Sequence, residues 1–240
     1  MRTLALYWPT LSGLADRTER LRSARHALGR LSPLVTGRDS FGLIEVGIDG
    51  LQARNGDERG VVAASPGAEH PWAWQDRPSE LRPPLDIDGA HDYLTEVHPQ
   101  AEAFVRTLAQ RLSAGAVFLL DYGFPEREYY HPQRHMGTLM CHQGHRSDTN
   151  PLVDVGDKDI TAHVNFTSVA VSAQEAGLEV LGYTSQARFL INCGLVELLE
   201  QASWGERAMA QKLLTEHEMG ELFKVIALGA GAVWSPMGFT

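Results

Sequence analysis

Cysteine is scarce in this sequence: only Cys141 and Cys193 occur, too few to build a disulfide scaffold. Lysine is nearly as rare, at Lys158, Lys212 and Lys224 alone, so arginine supplies 18 of the 21 basic side chains, a bias we attribute to codon usage. Positive charge is in deficit overall. The 30 acidic residues leave a formal net charge of -9, which argues against general affinity for phosphate backbones or anionic lipid and excludes nucleic acid and membrane as expected partners. No apolar run approaches the roughly 18 to 20 residues of a membrane span. Residues 1–9 carry a short apolar patch but no long h-region or small-residue cleavage site, so the cytoplasm is the expected compartment. Familiar nucleotide and hydrolase signatures are missing too. There is no Gly-x-x-x-x-Gly-Lys-Ser/Thr loop, no Gly-x-Ser-x-Gly elbow, and no Gly-x-Gly-x-x-Gly after a strand. What is present is ample apolar material: 43% of 240 residues is enough to bury one large core or two small ones.

The pattern along the chain points to an α/β protein. Leu14, Leu21, Ala24, Leu28 and Leu31 mark one face of a helix that Pro33 closes. Residues 41–64 are β-prone and contain the turn dipeptides Asp49-Gly50 and Asn55-Gly56, which predicts a small antiparallel unit. The Pro-rich stretch 65–89, with Trp72 and Trp74, reads as an irregular, aromatic-pinned connection, so a boundary falls near residue 90. Pro99 opens a helix with a Phe104, Val105, Leu108, Leu112 stripe that Gly115 stops. The run Ala116-Val117-Phe118-Leu119-Leu120 then reads as a parallel strand covered on both faces by helices. Residues 124–151 look like one long polar loop. A helix over 166–176 ended by Gly177, a strand over 178–183 and a closing strand over 223–228 follow. Thr184 or Ser185 is placed to cap the next helix, and Thr215 with Glu218 has the spacing of a capping box. Gly229-Ala230-Gly231 reads as a flexible tail.

Two groups of residues could carry chemistry. His131, His135, Cys141, His142 and His145, with His163 beyond, have the side chains of a zinc site, but Pro132 interrupts the first pair and no paired ligand motif is present. Hydrogen-bonded loop histidines are the simpler account, and no metal is expected. The second group is acidic: Glu96, Asp121 at the end of the predicted strand, and Asp159 shortly before His163. Met together, their carboxylates could clamp a guanidinium through paired charge-assisted hydrogen bonds. Equally, Asp121 could form a turn before Gly123, Asp159 or Thr161 could cap a helix, and Asn165 could bond nearby backbone.

Several long motifs occur in order from Tyr93 to Leu228. Leu119-Leu120-Asp121-Tyr122-Gly123-Phe124-Pro125, Glu128-Tyr129-Tyr130-His131-Pro132-Gln133-Arg134, Gly137-Thr138-Leu139-Met140-Cys141-His142 and Asp159-Ile160-Thr161-Ala162-His163-Val164-Asn165-Phe166 closely resemble the MidA-like family. Gly182-Tyr183-Thr184-Ser185-Gln186-Ala187-Arg188-Phe189-Leu190 and Met219-Gly220-Glu221-Leu222-Phe223-Lys224-Val225 extend the match, and Trp74-Gln75-Asp76-Arg77-Pro78 resembles the family's β insert. The family consists of S-adenosylmethionine-dependent methyltransferases and includes the mitochondrial arginine methyltransferase that assists assembly of respiratory complex I. The resemblance implies a Rossmann-like class I methyltransferase sheet with a small antiparallel β insert. Residues 1–40 would be a remnant of the N-terminal Rossmann half, 41–90 the insert with its connection, and 91–240 the C-terminal half.

The same resemblance implies S-adenosylmethionine as cofactor, a protein presenting an arginine as substrate, and a mitochondrial matrix location if the source is eukaryotic. It places Asp16 at the ribose-binding acid. For the guanidinium that such an enzyme has to orient, Glu96, Asp121 and Asp159 are the candidate carboxylates, with His163 and His145 as candidate proton acceptors. The family's first strand and Gly-rich loop are not found, and a further deletion falls around residues 36–45. A truncated, inactive member acting through protein contacts is therefore the alternative, with exposed sheet edges favouring a homo-oligomer; a zinc protein built on residues 131–145 is a third reading.

Overall fold

The computed structural model describes residues 42–47, 57–78, 83–84, 92–231 and 235–240. The helix expected over 14–31, the turns at Asp49-Gly50 and Asn55-Gly56, and Asp16 lie outside the described residues. Two compact units are present: Met1–Ala101 with Tyr130–Ala162, and Glu102–Tyr129 with His163–Thr240.

In the first unit, β1 (Gly42–Gly47), β2 (Asp57–Ala63), β3 (Trp72–Pro78) and β4 (Asp92–Val97) form an antiparallel sheet in the order β3-β2-β1-β4. The small antiparallel unit expected from the sequence is there and is larger than expected. Trp72–Pro78, expected as irregular connection, pairs with β2 from Ala63↔Trp72 to Asp57↔Pro78. The ladder tolerates this proline because β3 is at the edge of the sheet. Trp72 and Trp74 lie on this strand and remain 42% and 36% exposed.

The chain continues through α1 (Pro99–Arg111), β5 (Gly115–Phe124) and the single turn α2 (Glu126–Tyr129). The stretch expected as one long loop is built from short elements. After α2 comes a 3-10 turn, Pro132–Arg134, then β6 (Met140–Gln143), β7 (Arg146–Asp148) and β8 (Asp159–Thr161), antiparallel in the order β7-β6-β8. Strands this short carry too few residues to display an apolar period. The β6-β7 hairpin closes on Gly144 and His145, both at positive φ (55° and 64°), the conformation that matches the twist of a two-residue turn.

The second unit adds β9 (Val164–Asn165), α3 (Phe166–Glu175), β10 (Glu179–Ser185), α4 (Gln186–Asn192), α5 (Leu195–Glu200), α6 (Trp204–Leu214) and β11 (Phe223–Ala230). Its sheet runs β10-β11-β5-β9. Here the expected parallel strand is corrected: β5 is antiparallel to β11 along its length and parallel only to β9, through Gly123↔Val164 and Phe124↔Asn165. Val105 of α1, Phe166, Val169 and Ala173 of α3, Leu178, and Ile226 and Leu228 of β11 form the core on one face. The other face is only partly covered. Val225 and Ala227 are fully buried there, yet their register partners Leu120 and Phe118 stay 48% and 39% exposed. Phe118 packs on Phe189 and Phe239 at ring separations of 6.2 and 6.4 Å, and that aromatic cover does not bury Leu120. A continuous apolar run therefore does not mean burial on both faces in this unit.

Helix ends follow local chemistry. Asn165 caps α3 by accepting from the Thr167 and Ser168 amides, and Gly177 takes up φ 87° just beyond its end. Ser185 occupies the N-cap of α4 without a side-chain bond. The capping box lies at Ser203 and Glu206, which open α6; Thr215, expected to start a helix, ends that one instead, its hydroxyl donating to the Gln211 carbonyl. Gly229 and Ala230 are not a tail. They complete β11, where Leu181 packs directly over Gly229.

Candidate functional site

Glu96 lies near the end of β4 and is 2% exposed. Its carboxylate is committed to the following segment of the same unit. The Thr138 amide donates to Oε1 and Oε2 at 2.9 Å each, the Thr138 hydroxyl to Oε2 at 2.9 Å, and the Leu139 amide to Oε1 at 2.9 Å. Gly137 makes this possible. At φ 72° it turns the chain over the carboxylate, and a Cβ there would collide with Glu96 Oε1. Tyr93, fully buried, donates to the His131 carbonyl at 3.0 Å, and the Leu94 amide donates to the His135 carbonyl at 2.8 Å. Burial, reinforced by the Glu96 charge and opposed by Arg134, pushes the Tyr93 phenol up to about 12. The 131–139 segment is thus held to β4 mainly by polar contacts.

That segment leads into β6, and the register places Asp159 of β8 opposite His142. On the other side of β6, His142 pairs with Ser147 of β7. Neighbouring strands put their register partners on the same face, so Ser147, His142 and Asp159 form a row across the sheet. The opposite face carries Cys141, which is fully buried, with Asp148 and Ile160 as its partners. Burial raises the Cys141 thiol pKa, with Asp148 adding to the effect and Lys158 opposing it. Lys158 Nζ bridges Asp148 Oδ2 at 2.8 Å and also donates to the Asn150 carbonyl at 3.2 Å.

Asp121 and His163 belong to the second unit. Asp121 Oδ1 accepts from the Tyr122 amide at 2.8 Å, and its register partner on β11 is Lys224, 8% exposed. Lys224 Nζ donates to the Glu221 carbonyl at 2.6 Å and pairs with the Glu221 carboxylate. His163 precedes β9 and packs on Phe124 at 4.9 Å, with Tyr122 edge-on at 6.2 Å. Gly123 lets β9 approach this closely, because a Cβ there would strike the Val164 carbonyl and the Phe166 ring. Burial, with Glu128 and Glu221 nearby, raises the Tyr183 phenol pKa further along the same sheet.

The four acids and bases expected at the site are therefore divided between the units, Glu96 and Asp159 in the first and Asp121 and His163 in the second. Sequence reasoning missed Thr138, the partner of Glu96, and Lys224, the neighbour of Asp121. It also took His142 only as a metal ligand. An alternating Cys141-His142-Gln143 facing a second short polar strand was the available signal for the row. The zinc reading does not survive the geometry: among the described residues no three His, Cys, Asp or Glu side chains come together to hold a metal. His131 instead caps the 3-10 turn, its Nδ1 accepting from the Gln133 amide at 3.2 Å.

A model of the family "Putative S-adenosyl-L-methionine-dependent methyltransferase" matches residues 45–184. Two solved structures from Burkholderia thailandensis, both of the COG1565 superfamily, align with TM-scores of 0.73 and 0.71 at 43% and 42% identity; each covers 82% of this chain. The chain belongs to this methyltransferase family. The second of those structures was determined with S-adenosyl-homocysteine bound. This methyltransferase-family chain spans about half the length of both, 54% and 52%. None of the curated proteins matches it. Its mixed α/β architecture agrees with a Rossmann-like methyltransferase fold, and the family's cofactor is S-adenosylmethionine. The described residues do not by themselves fit that cofactor. No Gly-rich turn among them follows a strand to open a helix, the turn at Gly137 is filled by the Glu96 carboxylate, and Asp16 is outside the described residues.

Proposed function

We propose that this chain acts as an S-adenosylmethionine-dependent methyltransferase of the MidA-like type, with an arginine of a protein substrate as acceptor. The observation that carries the reading is 42% identity over 82% of the chain to a protein that binds S-adenosyl-homocysteine, the product such a reaction leaves. In this reading the candidate side chains are Asp159 in the first unit and Asp121 with His163 in the second, the acids as partners for a guanidinium and the histidine as a proton acceptor, while Glu96 serves by holding the 137–139 turn. The acidic balance of the chain suits a basic substrate side chain in the cytoplasm.

Calorimetric titration of the full chain with S-adenosyl-homocysteine tests the proposal. Saturable heat at one site per chain is the expected result. Absence of heat, under conditions where a longer relative binds, overturns activity for this chain.

A second reading, a family member that works through protein contacts, is favoured by the half-covered apolar face at Phe118 and Leu120. It predicts association through that face. Light scattering that reports a monodisperse monomer would remove it.

A further inference from the structure

We infer that Ser235–Thr240 is a strap that opens without unfolding of the second unit, and that the Phe239 ring is the latch controlling access to the partly covered apolar face of its sheet. The inference goes beyond the methyltransferase reading and does not depend on it. Every residue involved belongs to the second unit.

The seat is built from the sheet upward. Phe118 of β5, Ala227 of β11 and Gly182 of β10 are register partners, so they stand in one row on the same face. At the β10 end of that row the missing side chain admits the strap: a Cβ on Gly182 would collide with Phe239. The Phe239 ring lies over this glycine, 6.4 Å from the Phe118 ring and 5.3 Å from that of Phe189 on α4. Beside it Gly238, at φ 104°, passes so close to the Phe189 ring and the Cys193 sulfur that no side chain would fit. Asn192 Nδ2 completes the seat by donating to the Gly238 carbonyl at 3.2 Å.

The seat is specific, yet the hold is slight. Among the described residues the Asn192 bond is the strap's one hydrogen bond to the rest of the unit, whereas β11 beneath it is laddered on both sides. Pro236 and Gly238 are buried but small, Met237 is 69% exposed, and Ser235 and Thr240 face solvent. Phe239 is therefore the one large side chain that anchors the segment. Segments with few buried contacts and few hydrogen bonds open at free energies well below that of global unfolding. Opening here breaks little and uncovers much: Phe118 and Phe189 would join the half-exposed Leu120 in one apolar strip.

Thiol labelling of the full chain tests the strap, because Gly238 packs on the Cys193 sulfur. Mass spectrometry separates Cys193 from Cys141, which is fully buried in the first unit. In denaturant well below the unfolding midpoint, the Cys193 labelling rate of the parent should stay nearly flat, since a local opening exposes little surface. Phe239→Ala should raise that rate about tenfold, the scale of losing one partly buried aromatic side chain, and should raise the binding of an apolar fluorescent dye. Gly182→Ala should do the same with Phe239 intact, and Phe239→Leu should restore most of the protection. A parent rate that climbs with denaturant as steeply as global unfolding overturns the strap, as does an unchanged rate in Phe239→Ala. If Phe239→Ala instead takes on the global slope, the segment is part of the cooperative core and the inference also fails. Faster labelling without added dye binding overturns the control of the apolar face.

Discussion

The two units are held together by different physics. The second is organised around apolar side chains of α1, α3 and β11 that are close to fully buried, such as Val105, Ala173, Ile226 and Leu228. In the first, the 130–162 segment is tied down by directed polar bonds: Glu96 to Thr138 and Leu139, Tyr93 to His131, Lys158 to Asp148 and Asn150. Apolar packing is non-directional and tolerates rearrangement, whereas a buried carboxylate holds one loop in one geometry and is costly to leave unpaired. The difference suits a chain whose candidate polar residues cluster on short strands that cannot bury much.

Three perturbations can break or sharpen this contrast. The largest effect is expected in the apolar unit: Ile226→Ala, at a position 1% exposed, should cost about 2–5 kcal/mol, read from chemical denaturation. Next, Glu96→Ala should cost about 2–4 kcal/mol, because it leaves buried amides without an acceptor. Hydrogen exchange gives that second variant its signature, with protection lost at Thr138 and Leu139 and retained in α3 and β11. Equal loss in both places would show that the polar and apolar regions unfold as one and would dissolve the comparison.

The smallest effect concerns the exposed end of the polar network. The Lys158 hydrogen bond holds the Asp148 carboxyl below its ordinary value of 3.8. A carboxyl depressed in the folded state adds stability that is present above its unfolded value and is lost as pH falls through the lower, folded one. Local protection around Asp148 and Asn150 should therefore weaken only in acid below that ordinary value. Lys158→Met should remove the dependence, and salt should blunt it, since the pair is solvent-screened. A pH response in the parent that survives Lys158→Met would assign it to another group.

Legibility in the sequence followed the same divide. Long helices with apolar stripes were readable: α1 starts at Pro99 as predicted, and α3 lies within the predicted 166–176 helix, which Gly177 ends. The 131–161 strands were not, because three or four residues display no period and the turn that leads into them is held by Glu96, 42 positions before Thr138. Strand direction was equally hidden. The run at 116–120 has the composition of a parallel buried strand, yet its long neighbour β11 is antiparallel and leaves Leu120 half-exposed. Thr215 shows the limit for caps: the residue type is right for either end of a helix, and only the position of Gln211 beneath it decides which.

By itself the sequence determined the class of the protein, its ordered motifs, the positions of its longer helices and the chemical types available for a site. Those properties are local, written in spacing and side-chain chemistry within a few residues. Tertiary structure alone decided that Glu96 is spent on backbone amides, that Asp159 stands beside His142, and that one face of β5 is only partly covered. Each of these depends on a partner distant in the chain, and burial and strand register choose such partners only once the chain has folded.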